Sequence, residues 1–223
     1  MTHSRRANAR TRSPREEVVA TRSERKQRTR EALIDAALRL LEQESFSSLS
    51  LREVARDAGI VPTGFYRHFE NMQELGLALV DRSFRSLRDM LRGVRATADG
   101  HEHVIRRSIA VVVADVNEHR THFRFIARER SGGVAGLRHA IRSQIQLLAS
   151  ELATDLARLP ALAEWSTDDL QMLAALLVGV GVSAADALVD VAPEDTEIVQ
   201  EIASVAERQL RLITLGVPEW RSQ

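Results

Sequence analysis

The spacing of apolar residues along the chain predicts helices almost throughout. From Ser23 onward, apolar side chains recur every three or four residues, as they do on one face of an α-helix. The first such stripe ends near Glu44 and consists of Ala32, Leu33, Ala36, Ala37, Leu40 and Leu41. Alternating strand patterns are nearly absent, and the valines at 111–113 lie inside a segment of helical length. The pattern therefore predicts an all-α protein.

Start and stop signals divide the chain into about nine helices. Asn71 is placed to cap a fourth, long helix that runs to about Arg95, with Glu74 in the capping-box position. An Ala-Asp-Gly sequence at 98–100 interrupts the pattern. Beyond it, the periodicity predicts helices at about 101–118, 120–130, 134–158, 167–191 and 194–215.

Residues 45–69, SFSSLSLREVARDAGIVPTGFYRHF, predict two short helices joined by a tight turn. Ser50 caps the first helix and Glu53 completes a capping box. Gly59 supplies a left-handed stop, and Pro62 suits the first turn of the next helix. Two helices joined in this way form a helix-turn-helix, whose second helix can lie in the DNA major groove. The segment therefore predicts a sequence-specific DNA-binding protein.

The first turn of the second helix supplies the candidates for base contact. Pro62, Thr63 and Gly64 are small enough to let the backbone approach base edges. Arg67 is a further candidate for base or phosphate contact, and phosphates are expected to be held by Arg28, Thr29, Ser48, Ser50 and Arg52. For Ser50, a role in capping alone is an equal alternative. Phe65 and Phe69 are expected to pack into the core.

The charges are distributed unevenly along the chain, and the basic ones are concentrated near its start. The formal net charge is zero, yet residues 1–30 carry 10 basic and 3 acidic side chains. Residues 1–70 hold 14 Lys and Arg against 10 Asp and Glu, whereas residues 71–223 hold 17 against 21. A basic arm beside a helix-turn-helix indicates contact with the DNA backbone or minor groove. The alternative is a solvated tail that only aids solubility.

Composition argues against several other classes of protein, such as disordered, disulfide-bonded and secreted proteins. Hydrophobic residues make up 44% of the 223 residues, which is enough to build a core. The absence of cysteine excludes disulfides and thiolate metal sites and fits a reducing compartment. The polar, arginine-rich start does not resemble a secretory signal, so we expect a cytoplasmic protein.

The segment from Leu170 to Val189 raises the question of a membrane span. Gln171, Ser183 and Asp186 interrupt it, and its small residues suggest close contact between helices instead. The last helix is amphipathic and is expected to pair with it. Two such helices from each of two subunits would form a four-helix interface, which predicts a homodimer and no membrane insertion.

Several apolar helical faces of the second half are candidates for a ligand cavity, although most such residues in any helical domain are plain core. The apolar candidates are Val112, Val116, Phe123, Ile145, Leu148, Leu152, Leu176 and Val180. Arg124, Arg128 and Arg130 cluster before Ser131-Gly132-Gly133, where a phosphate-bearing head group would emerge. Ion pairs between the ligand domain and the DNA-binding part are an equal alternative for these arginines.

Metal and catalytic chemistry have little support in the sequence. His119 and His122 are three residues apart, but they straddle a predicted helix break, and no cysteine or carboxylate pattern completes a zinc site. The chain has no nucleophile elbow, zinc triad or phosphate-cradling glycine loop. We therefore expect no metal and no cofactor, with a helical acyl-CoA hydrolase as a remote alternative.

Residues 29–75, TREALIDAALRLLEQESFSSLSLREVARDAGIVPTGFYRHFENMQEL, resemble the TetR family of bacterial transcriptional repressors. The segments SLSLREVARDAG, PTGFYRHF, ELGLALVD and FRFIARERSG are further similar to repressors of the FabR and DesT type, which regulate unsaturated-fatty-acid synthesis and desaturation. Tyr66 and His68 match family positions that contact phosphate.

This resemblance implies a basic arm at 1–22, a DNA-binding domain at 23–70 and a helical effector-binding and dimerisation domain at 71–223. It also implies a homodimer on a palindromic operator, with a long-chain acyl-CoA as effector. The alternative is a repressor of an efflux or catabolic operon that senses a drug or another small amphiphile.

Overall fold

The computed structural model describes residues 21–97 and 101–222, so all but the last two residues of the predicted basic arm, and the predicted break at 98–100, lie outside the described residues. Within these ranges the structure has nine α-helices and no β-strand, which confirms the predicted all-α class. The helices are α1 Arg22–Leu41, α2 Leu51–Asp57, α3 Pro62–Phe65, α4 Met72–Thr97, α5 His101–Glu118, α6 Arg120–Glu129, α7 Ala135–Leu156, α8 Thr167–Val189 and α9 Thr196–Gly216. Short 3₁₀ turns at Pro160–Leu162 and Val217–Glu219 follow α7 and α9.

Capping boxes set the beginnings of α1 and α2. The hydroxyl of Ser50 accepts the backbone N–H of Glu53, whose carboxylate accepts the N–H of Ser50, as predicted. A second box, which the sequence patterns did not reveal, joins Thr21 and Glu24 and starts α1 one residue before the predicted Ser23. Gly59 adopts a φ of 71°, which is the left-handed stop expected after α2.

The helix after the turn is shorter than the predicted one. α3 ends at Phe65, and the chain continues to Phe69 through single turns, in which the N–H of His68 donates to the carbonyl of Phe65 at 2.9 Å. The shortening has a local cause, because Asn71 already caps the next helix by accepting the N–H of Glu74 at 2.9 Å. The chain has only a few residues in which to change direction.

One continuous core joins the first three helices to the body of the protein. It includes Leu33 and Leu41 of α1, and Leu137 of α7. It also includes Phe65 and Phe69 of residues 62–69, which comprise α3 and the turns after it and are called the α3 turn below. The rings of Phe65 and Phe69 lie 5.6 Å apart, and both are buried, as expected. The first three helices therefore do not have a core of their own.

The body is a bundle in which α8 packs against both α7 and α9. Two further apolar clusters lie between α5, α8 and α9, with Val116, Leu188 and Val199 in one and Ile109, Ala206 and Leu210 in the other. The long helix α4 contacts α1, α5, α6 and α7. It is thus the helix that runs from the first three helices into the bundle.

Gly76 is the position where α4, the loop after α1 and α7 approach most closely. A Cβ atom at Gly76 would lie 2.7 Å from Cζ of Phe46 and 2.8 Å from Cδ2 of Leu137, both of which are buried. Overpacking of this kind costs about 1–3 kcal/mol, against a gain of about 1 kcal/mol in helix propensity. We therefore expect Gly76→Ala to lower the free energy of unfolding, as measured by urea denaturation.

Gly93→Ala is the matched control for this substitution, because it makes the same change in the same helix. A Cβ atom at Gly93 would meet nothing within 4 Å, so only the propensity gain of up to about 1 kcal/mol should appear. Equal stability changes for the two variants would show that the core around Gly76 can rearrange around the added methyl group without a loss of stability.

Candidate nucleic-acid interface and ligand cavity

The α3 turn presents two different faces. Phe65 and Phe69 point into the core, whereas Tyr66 is 63% and Val61 66% exposed. Pro62, Thr63 and Arg67 are exposed on the same turn. A large aromatic side chain held out in solvent, with its ring in an edge contact with Phe65, indicates a surface that another molecule covers.

Gly64 occupies the middle of α3, where a glycine costs about 1 kcal/mol relative to alanine. A Cβ atom there would meet only side-chain atoms of Ile60 and Val61, at 3.6 Å or more. Its φ is not positive, since among the described residues only Gly59 has a positive φ. Neither internal packing nor backbone conformation requires this glycine, which leaves close approach by an external molecule as its physical reason.

The environment of His68 is strongly positive. Burial and then the charges of Lys26, Arg30 and Arg67 lower the pKa of His68 below its usual value, so the ring is neutral at pH 7. Arg30 lies over the ring of Phe69, 4.8 Å from its centroid. A cluster of cations beside a neutral imidazole suits a phosphate group, because the phosphate would neutralise the cations and favour protonation of the ring.

The remaining predicted DNA-contact residues fall into two groups. The hydroxyls of Ser48 and Thr29 donate to the carbonyls of Ser45 and Arg25, and the hydroxyl of Ser50 serves the α2 cap. Arg28 and Arg52 extend from the exposed surface of α1 and α2. The arginines are thus available for phosphates, whereas the three hydroxyls already have partners within the protein.

A cavity of about 380 Å³ lies inside the bundle between α4 and the last five helices. Its lining is mostly aliphatic, and it includes six of the predicted ligand residues: Val112, Phe123, Arg130, Ile145, Leu148 and Leu152. The lining also contains residues that were not among the predicted ligand residues, such as Ser83, Leu87 and Leu91 of α4 and Leu177, Gly181 and Asp186 of α8. The α4 residues recur at helical spacing in the sequence, but no feature of the sequence indicated that this face of α4 borders a cavity.

The other five predicted ligand residues lie elsewhere. Val116 and Val180 belong to the packed clusters beside the cavity, and Leu176 is 52% exposed on α8. Arg124 reaches the carbonyl of Val189 at 3.5 Å. Arg128 donates to the carbonyl of Leu41 at 3.3 Å, so it joins α6 to the end of α1 rather than lining the cavity.

The polar part of the cavity wall is formed chiefly by α6 and its neighbours. Arg130 pairs with Asp186 of α8 at 2.6 Å. Nδ1 of His122 lies 2.8 Å from the hydroxyl of Ser83, and burial, followed by the charges of Arg82 and His119, lowers the pKa of His122 to about 4. At neutral pH this wall therefore carries no net charge.

The helix α6 also makes three polar contacts with the loop and helix end before α2. Thr121 donates to Glu42 at 3.0 Å, Arg128 donates to the carbonyl of Leu41, and the backbone N–H of Phe46 donates to the buried carboxylate of Glu129 at 3.2 Å. Because another face of α6 lines the cavity, this short helix contacts both the cavity and the residues that lead into α2.

His119 and His122 do not form a metal site with their described neighbours. Nδ1 of His119 bonds to the buried carboxylate of Asp115 at 2.8 Å, and burial raises the pKa of Asp115. The ring centroids of His119 and His122 lie 5.9 Å apart. Over residues 21–97 and 101–222, no three potential metal ligands come together.

Two models of known protein families match the chain. Residues 33–79 match the family model described as bacterial regulatory proteins, tetR family, and residues 101–216 match the one described as the tetracyclin repressor-like C-terminal domain.

Three similar solved structures have 13–20% sequence identity with this chain and therefore inform on the fold alone. The fatty acid degradation regulator FadR from Bacillus halodurans superposes with a TM-score of 0.66 at 13% identity, over 87% of this chain and 97% of that one. A putative TetR-family regulator from Mesorhizobium loti gives 0.67 at 17% identity, over 88% and 98%. One from Rhodococcus sp. gives 0.60 at 20% identity, over 82% and 99%.

The exposed tip of α3 can be tested with Tyr66→Ala. Because Tyr66 is exposed, its loss should change the stability by no more than about 0.5 kcal/mol, whereas affinity for DNA should fall more than tenfold. Duplexes would be selected from a random library with the parent protein, and binding measured by fluorescence anisotropy. Leu147→Ala removes a comparably exposed side chain on α7 and serves as the control. If the Tyr66 variant bound DNA with unchanged affinity, α3 would not be the element that reads DNA.

Proposed function

The chain belongs to the TetR family of bacterial regulatory proteins, and we propose that it is a repressor of lipid genes that senses long-chain acyl-CoA. It is a DNA-binding transcriptional regulator and not an enzyme. Regulators of this family bind DNA operators as dimers and respond to small-molecule ligands. The proposal adds a cytoplasmic repressor of the FabR and DesT type, with a DNA-binding domain at 23–70 and an effector-binding and dimerisation domain at 71–223.

The geometry of α3 supports operator binding by its tip. Thr63, Gly64 and Tyr66 are on the exposed side of the turn, and Phe65 and Phe69 anchor it from behind. In a helix-turn-helix the N-terminal part of the second helix reaches base edges. Two such tips about 34–36 Å apart would meet successive turns of a palindromic operator.

The surface of α8 and α9 supports a homodimer. The most apolar 18-residue stretch of α8 has a mean hydropathy of 2.1, yet only 28% of it is buried within the chain. By length and composition it is the one helix among the described residues that would be able to span a membrane. Its exposed side carries Met172 and Leu176, and α9 adds Leu212, which is 72% exposed. A second copy of the same two helices would cover this surface as a four-helix interface.

The cavity is the single observation that carries the ligand proposal. Along α7 it extends from Ile145 to Leu156, which is about 16 Å at a rise of about 1.5 Å per residue. Each methylene group of an acyl chain buried there would contribute about 0.8 kcal/mol. A protein of similar fold is named a fatty acid degradation regulator, which makes fatty-acid-derived ligands the first class to test. The phosphates of coenzyme A would remain outside, since the lining has one arginine and Asp186 already pairs with it.

The two faces of α6 suggest how the ligand acts on DNA binding. A chain packed against Phe123 and Ile126 would press on α6, and Arg128 and Glu129 would pass the displacement to the residues before α2. Arg82 of α4 adds a second link, because it pairs with Glu31 and Asp35 of α1 at 3.0 and 2.8 Å. The ligand changes operator affinity only by as much as its own affinity differs between the two arrangements.

The dimer can be tested with Leu176→Arg. A charge on each side of the two-fold interface should separate the subunits and abolish operator binding, because a monomer contacts only one half-site. Light scattering coupled to size-exclusion chromatography gives the mass. Leu147→Arg introduces the same charge on α7 and should remain dimeric. A dimeric Leu176 variant would place the interface elsewhere.

The effector can be tested with palmitoyl-CoA. We expect it to change the affinity for the selected operator at least tenfold, whereas coenzyme A alone should have no effect. Leu152→Trp fills the cavity and should abolish the response while operator binding remains, and Leu147→Trp, on the exposed side of α7, should respond normally. A response to apolar drugs but not to any acyl-CoA would favour the efflux-type regulator and contradict the proposal.

A further inference from the structure

The cavity contains few polar groups, and most of them are already occupied by the protein. The hydroxyl of Ser83 donates to the carbonyl of Leu79 at 2.8 Å, and the hydroxyl of Thr214 donates to the carbonyl of Arg211 at 2.9 Å. Arg130 and Asp186 are paired with each other. The lining group that remains to be accounted for at the start of α6 is the imidazole of His122.

The hydrogen bonds around Ser83 determine which nitrogen of His122 carries the proton. A serine hydroxyl has one proton, and that of Ser83 is used on the carbonyl of Leu79. With that hydrogen directed at the carbonyl of Leu79, we assign Ser83 as the acceptor at its 2.8 Å contact with Nδ1 of His122 and place the ring hydrogen on Nδ1. Nε2 is then an unprotonated acceptor, and no described residue forms a hydrogen bond with it.

Burial keeps the ring in this neutral form, because it is the main cause of the lowered pKa of His122. The electrostatic effects of Arg82 and His119 lower that pKa further, against the weaker opposing effect of Asp35. A ligand carboxylate would have no donor at Nε2, and it would also meet the carboxylate of Asp186 in the same cavity wall. A ligand with an uncharged hydrogen-bond donor has neither disadvantage, because it changes neither the protonation of the imidazole nor the Arg130–Asp186 pair.

We propose that His122 determines the ligand specificity of the cavity by accepting, at Nε2, a hydrogen bond from an uncharged donor of the ligand, either a hydroxyl or an amide N–H. The inference rests on the proposed function only in taking this cavity as the effector site. In an acyl-CoA the donor is an amide of the pantetheine arm or a hydroxyl on the acyl chain. The bond forms at the first turn of α6, next to Thr121 and its contact with the end of α1.

The experiment compares matched probes that differ by one donor hydrogen. Dodecan-1-ol is compared with its methyl ether, and N-butyldodecanamide with its N-methyl derivative, by calorimetry on the full chain without DNA. We expect the donor-bearing member of at least one pair to bind about tenfold tighter, which corresponds to a hydrogen bond of about 1.4 kcal/mol. The pair that shows the preference identifies the donor as hydroxyl or amide.

Four variants assign this preference to His122 and to the cavity. His122→Phe should bind both members of a pair equally, whereas His122→Gln, which keeps an acceptor, should retain the preference. His139→Phe makes the same substitution at an exposed histidine of α7 outside the lining and should behave as the parent. Leu152→Trp should bind neither member, which places the probes in the cavity.

Equal binding of both members by the parent, a preference that persists in His122→Phe, binding that survives Leu152→Trp, or no binding of any probe would each overturn the inference. If the Phe variant does not fold, loss of the preference in His122→Gln overturns it and retention supports it. Because the probes contain no coenzyme A and the assay contains no DNA, a failure of palmitoyl-CoA as effector is a separate result.

Discussion

The apolar face of α1 is the constraint on which the rest of the structure depends. Leu33, Ala37 and Leu41 are buried against α2 and the α3 turn on one side and against the bundle on the other. A core of this kind transmits displacement, because close-packed side chains have little free volume in which to absorb it. The DNA-facing helices are therefore positioned by the same packing that encloses the ligand cavity.

The α3 turn shows how strongly local structure depends on that core. A helix of four residues is far too short to be stable alone, since nucleation costs more than one turn of hydrogen bonds returns. Phe65 and Phe69 hold the turn by burying their rings, and the cation of Arg30 covers Phe69. The exposed part, with Tyr66 at its centre, contributes little to stability. Its amino acids are thus free to be chosen for contact with an external surface.

Much of the fold was predictable because its signals are local. The Ser50 and Glu53 cap, the left-handed Gly59 and the apolar periodicities each act within a few residues, and they gave the helices and the short turn before α3. The length of α3 was not predictable from the same signals, since it depends on where the chain must turn to reach α4. The family resemblance, carried by residues 29–75, is confirmed by the family models, whereas the fatty-acid subtype stays a prediction.

The cavity was harder to predict because lining and core use the same residue types. Val112 and Leu148 line the open space and Val116 does not, although all three are apolar residues on helical faces. The polar groups are more informative once their partners are known. Arg128 lies in the same sequence cluster as Arg130, but its bond to the carbonyl of Leu41 gives it a structural role, while Arg130 faces the cavity.

The helix α6 lies between the cavity and the residues before α2. A ten-residue helix with one face on an apolar cavity and the other on the residues before α2 has little stability of its own, and its position is set by contacts at both faces. Glu129 is buried with one carboxylate oxygen bonded to the N–H of Phe46, and moving it away would leave a buried charge without that partner. Displacement of α6 away from the loop before α2 is therefore disfavoured, since Oε2 of Glu129 already lacks a hydrogen-bond partner and Oε1 would lose its own. The position of α6 is thus coupled to that of the residues before α2, which is a property that a ligand-controlled DNA-binding protein requires.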